Sequence, residues 1–98
     1  MGETVRLVDL PGGDFVTKGL ADLDKGILSE EGLLILIAGP RLRGLGFTIP
    51  VPTGATRPYE DALYFLIELR NPKGAHSAYN ALIRRIVSFA DSYSRLGT

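Results

Sequence analysis

The residues of this chain that could do chemistry are few enough to place one by one. There is a single histidine and no cysteine, which excludes thiolate chemistry, disulfides and His-rich metal centres. The histidine closes the stretch Arg70-Asn71-Pro72-Lys73-Gly74-Ala75-His76, with Tyr79 one turn further on. Proline and glycine inside the stretch mark a turn, so Arg70 ends one helix and His76 begins the next. The positive end of a helix dipole favours the neutral form of an imidazole, the form that can accept a proton near pH 7. A guanidinium nearby can steady the charge on a phosphorane. Arg70 and His76 are therefore the candidate catalytic pair.

This local pattern resembles the Arg-x(4–6)-His motif of HEPN-type ribonucleases, small helical bundles that act without metal and often as dimers. The resemblance runs from Arg70 to Tyr79. It implies catalytic places for Arg70 and His76, with Asn71 in the polar position after the arginine. The same residues also read as ordinary structure: Pro72 and Gly74 as loop chemistry, His76 as a polar residue early in a helix. Two further basic pairs, Arg41 with Arg43 and Arg84 with Arg85, are candidate nucleic-acid contacts if their segments meet in space. Tyr79, Phe89 and Tyr93 would then be stacking platforms.

Other signals are structural. Gly39, Gly44 and Gly46 do not form a G-x-G-x-x-G run, and no GK[ST] phosphate loop exists. The carboxylate pairs Asp22 and Asp24, Glu30 and Glu31, Glu60 and Asp61 fall at expected helix ends or exposed faces, where solvation and the helix dipole favour them. No residue set points to a metal or a cofactor.

The elements that position these residues read as follows. Val5 to Leu10 suggests a short extended arm that stops at Pro11-Gly12-Gly13. Asp14 looks like an N-cap, and the apolar spacing after it predicts a helix to about Lys25, closed by a left-handed Gly26. Ser29-Glu30-Glu31 is a helix start. The run Gly32 to Ala38 fits a buried helix or a buried strand; the start signal and the excess of leucine favour the helix. Pro40 can open another turn carrying Leu42 and Leu45. Prolines 50 and 52 forbid a central strand between Gly44 and Pro58, leaving an edge strand or a packed loop. Pro58 opens a helix that is nearly apolar all round and is expected at the centre of the core. Asn71 to Gly74 ends it. The last helix carries a stripe of Tyr79, Leu82, Ile83, Ile86, Val87, Ala90 and Tyr93.

The expected fold is all-α, one domain over residues 1–98, a compact bundle of about four helices with a short extended N-terminal arm. The alternative is α+β with residues 32–38 as a strand. Apolar residues make up 45% of the chain, enough for a core but a thin one at 98 residues. Covering leftover apolar surface with another copy is a common solution at this size. Net charge is zero, which argues against non-specific coating of nucleic acid. The charge is nevertheless uneven: residues 1–40 hold seven acids and three bases, residues 41–98 four acids and eight bases. No secretory signal or spanning run is visible, so the expected setting is the cytoplasm, with no membrane partner. The leading functional expectation is a non-enzymatic, self-associating helical interaction module, a subunit or regulator of a larger complex. A nucleic-acid binder or metal-independent ribonuclease using Arg70 and His76 is the alternative.

Overall fold

A computed structural model describes residues 7–96. Five helices follow in order: α1 (Gly13–Asp24), α2 (Glu30–Ile37), α3 (Gly39–Gly44), α4 (Tyr59–Arg70) and α5 (Ala75–Leu96). No strand occurs among the described residues, and residues 32–38 are helical. The radius of gyration, 13.7 Å, is close to the roughly 13 Å of a folded chain of this length, so the helices pack together.

The N-terminal segment departs from the extended reading. Residues 1–6 lie outside the described residues, and Leu7–Asp9 form a single 3-10 turn. Leu10 N–H bonds to Leu7 C=O at 3.1 Å and Gly13 N–H to Leu10 C=O at 2.9 Å, so two tight turns lead into α1. Gly12, at φ 76°, takes the N-cap place expected for Asp14, which falls in the first turn instead. Glycine is needed there twice over. A left-handed φ is costly with a side chain, and a Cβ on Gly12 would lie 2.9 Å from the Arg85 carbonyl oxygen of α5.

The corner between α1 and α2 is built as its sequence predicts. Gly26 N–H bonds to Leu23 C=O and Ile27 N–H to Asp22 C=O, at 3.0 and 2.8 Å, the pattern of a helix closed by a left-handed glycine. Ser29 then caps α2, its hydroxyl accepting from Gly32 N–H at 3.1 Å and donating to Asp22 Oδ2 at 2.6 Å. Lys18 Nζ reaches the same carboxylate oxygen at 2.6 Å. The bonds from Lys18 and Ser29 hold the Asp22 carboxyl below its ordinary pKa, against the opposing effect of desolvation.

Leu33, Leu34, Ile35 and Leu36 are all buried, so α2 is apolar around its whole circumference and sits at the centre. It packs against every other helix. Helix α1 comes closest: a Cβ on Gly19 would stand 2.7 Å from the Glu31 carbonyl oxygen and 2.7 Å from Ile35 Cγ1. Leu42 of α3 is fully buried, and the stretch after it is a packed loop. Phe47 of that loop lies 4.7 Å from the Tyr93 ring and 5.9 Å from the Phe89 ring.

Two expectations about the core need correction. Helix α4 is peripheral, not central: only Leu63 and Ile67 are buried, while Phe65 and Leu69 are 59% and 68% exposed. Its neighbour α2 already fills the middle, so α4 can bury one side only. On α5, Val87 is exposed and Phe89 is fully buried. The stripe is rotated toward Phe89 because the loop delivers Phe47 to that side.

These placements set two tests by chemical denaturation. Leu34→Ala should destabilise by about 2–5 kcal/mol, whereas Leu69→Ala should change stability by less than about 0.5 kcal/mol; equal losses would contradict the inner and outer placement of α2 and α4. Gly19→Ala should cost about 1–3 kcal/mol, because the added methyl meets backbone that cannot turn away. At Gly44, where a Cβ meets nothing within 4 Å, the same change should be neutral or slightly stabilising.

Candidate functional site

Arg70 is the last residue of α4 and His76 the second of α5. The connection between them is tight: Asn71 Oδ1 accepts from Gly74 N–H at 3.1 Å, an Asx-type turn that the Asn-Pro-x-Gly sequence encodes. Arg70 turns toward α2. Its Nε and Nη2 donate to the two carboxylate oxygens of Glu30 at 2.6 and 2.9 Å, a two-pronged pair that raises the guanidinium pKa further. His76 is exposed, and no hydrogen bond or ion pair joins it to Arg70 among the described residues. Tyr79, one turn on, packs its ring 5.6 Å from Tyr64 of α4. Burial pushes its phenol above the ordinary pKa, and the charges of Glu60 and Asp61 add to the rise.

The arginine pairs lie in three surroundings. Arg41 Nη2 bonds Asp91 Oδ1 at 2.6 Å and ties α3 to α5. Arg43 lies over Gly39 and lines a cleft of about 330 Å³ with Leu36, Val51, Arg57 and Tyr59. Arg84 and Arg85 border a separate depression beside Pro11 and Gly12. Arg85 is partly engaged already, 5.2 Å over the Phe15 ring and 3.5 Å from Asp14 Oδ1. Of the proposed stacking platforms, Phe89 is fully buried and Tyr93 half-buried. No cluster of three or more His, Asp or Glu that could hold a metal occurs among the described residues, and no helix there is long and apolar enough to cross a membrane.

The surface feature that sequence reading missed is the outer face of α4. Ala62, Phe65, Leu66 and Leu69 form one stripe along it. On one flank, Leu28, Gly54 and Thr56 join Phe65 and Leu66 around a depression of about 190 Å³. A broader groove of about 760 Å³ continues past Leu66 and Leu69 to Phe15 and Leu82, with the Glu30–Arg70 pair at its edge. The signal was present as apolarity on all sides of the helix. Apolarity of that kind suggests burial, yet on α4 only the side of Leu63 and Ile67 is buried. No protein-family model, curated protein or solved structure matches this chain.

The Tyr79 environment has a direct readout. In a spectrophotometric titration, one of the four tyrosines should ionise later than an ordinary phenol, and Tyr79→Phe should remove that last step. Because the folded-state pKa is raised, the stability Tyr79 contributes is present below the ordinary phenol range and is lost as pH rises through it. A last step that survives Tyr79→Phe would contradict the assignment.

Proposed function

We propose that this chain is a non-enzymatic protein–protein interaction module, a subunit or regulator of a larger assembly, and that it docks its partner on the outer face of α4. The observation that carries the reading is the exposure of Phe65 and Leu69, at 59% and 68%, on one stripe of one helix. Leaving each largely in water forgoes the greater part of the about 1.5–3 kcal/mol that full burial of such a side chain contributes. Single exposed apolar residues are ordinary, but two large ones on adjacent turns, between a mainly apolar depression and a broader groove that also carries Ser29, Glu30, Glu31 and Arg70, form the kind of surface that binding covers. The titratable side chains of the described residues all reach solvent, which suits recognition better than desolvated acid–base work. Arg70 is also already committed to Glu30 across 40 positions of sequence, where it fixes α4 against α2.

A photo-crosslinking residue in place of Leu69, activated in cells, tests the reading. An adduct should form, and the additional change Phe65→Asp should remove it while the far-ultraviolet circular dichroism stays the same. No adduct, or one indifferent to Phe65→Asp, would sink the proposal.

A further inference from the structure

We infer that the cleft between α3, the loop after it and the start of α4 binds a small organic carboxylate, one negative charge on a compact apolar body. The cleft is separate from the outer face of α4 and includes none of Ala62, Phe65, Leu66 or Leu69. The argument begins with unpaired charge. Arg41, Arg70 and Arg85 each reach a carboxylate of the fold. Arg43 and Arg57 reach none among the described residues, and both line this cleft of about 330 Å³.

Each guanidinium is held at the cleft by a contact that leaves its N–H donors unpaired. Arg43 lies down over the buried Gly39: a Cβ there would stand 2.9 Å from Arg43 Nη1, so the guanidinium occupies space that only glycine leaves open. Arg57 Cζ lies 5.7 Å from the centre of the Tyr59 ring, a cation–π contact that uses the flat face and not the donor edge. One arginine comes from α3 and the other from the loop before α4, so the fold, and no local repeat, brings them to one concavity.

Charge and shape then set the ligand. Glu60 also lines the cleft, and no ion pair joins it to either arginine. Asp61 lies outside the lining. Two positive groups against one negative leave a single positive charge, which a monoanion balances and a phosphate dianion exceeds. A planar carboxylate accepts from a guanidinium edge through both oxygens. The rest of the wall is apolar: Leu36 is buried, and Ile37, Pro40 and Val51 continue it beside the half-buried Tyr59. At about 330 Å³ the space is at the small end of the roughly 300–1,000 Å³ of small-molecule sites, which suits a ligand of about ten non-hydrogen atoms. Both arginines are exposed, so binding should be weak, with a dissociation constant on the order of 1 mM.

Nitrogen–proton NMR titration of the full chain with 3-phenylpropionate tests the inference. The backbone N–H signals of Ile37, Arg43 and Tyr59 and the Nε–H signals of Arg43 and Arg57 should shift and saturate below about 10 mM. The uncharged 3-phenylpropan-1-ol, acetate and inorganic phosphate should each bind at least about fivefold more weakly, the first for want of charge, the second for want of an apolar body, the third for excess charge. Arg43→Gln and Arg57→Gln should each raise the dissociation constant at least about threefold, and Glu60→Gln should lower it about twofold. Arg84→Gln, which removes a positive charge from a separate depression, should leave it unchanged. All four residues are exposed, so unchanged melting curves serve as the folding control. Shifts that do not saturate, a constant that either cleft arginine leaves unmoved or that Glu60→Gln does not lower, or an Arg84→Gln effect as large as theirs overturns the inference. So does equal binding of the alcohol, acetate or phosphate. None of these outcomes bears on the α4 face, whose crosslinking test stands apart.

Discussion

The whole arrangement depends on hiding a helix that has no polar side over its middle turns. Leu33 through Leu36 are 0–4% exposed, and four consecutive helical positions point in four directions, so α2 must be surrounded rather than covered. That requirement explains why every other helix touches α2. It also explains the glycines where α1 and α2 meet. At Gly19 and Gly32, a Cβ would stand 2.7 Å from Glu31 carbonyl oxygen and 3.1 Å from Leu23 Cδ2. Close approach on that side makes room on the others for α4 and α5. The outer helices then have one face to spend on α2 and one to spare.

Polar contacts at the helix ends orient this packing more than they stabilise it. Lys18, Asp22 and Ser29 form a node at the α1–α2 corner, Arg70 and Glu30 join α4 to the start of α2, and Arg41 and Asp91 join α3 to α5. Exposed ion pairs contribute about 0–1 kcal/mol each. Their value is geometric: each fixes the rotation of one helix about its own axis, and α4 in particular is held with Leu63 and Ile67 inward.

What the sequence disclosed, and what it did not, divides along the range of the interaction. Gly26, Ser29 and Asn71 act within four residues of themselves, and their roles could be read from neighbouring residue types alone. The start signal at Ser29 also decided correctly between helix and strand for residues 32–38. By contrast, which of two strongly apolar helices lies innermost is settled by the other helices, so α2 is buried as its sequence suggests while α4, expected at the centre, lies at the periphery. The choice between Val87 and Phe89 depended on Phe47, about forty residues earlier and in a loop. Arg70 carried the chemistry expected of a cation, but its Glu30 partner lies 40 positions away, beyond the reach of any local pattern. At Leu7–Asp9, the alternation that suggested an extended arm was too short to outweigh the turns imposed by Pro11, Gly12 and Gly13.

The aromatic contact of Phe47 with Phe89 and Tyr93 bears on how the chain reaches this state during synthesis. The α1–α2 corner is closed by local bonds and can form on a nascent chain as soon as residue 37 or so has left the ribosome. Phe47 has no ring to lie on until α5 has emerged as well. Between those two moments the loop after α3 trails as a greasy, proline-punctuated tether. A translational pause in that interval would leave it in water together with the sides of α2 that α4 and α5 later cover.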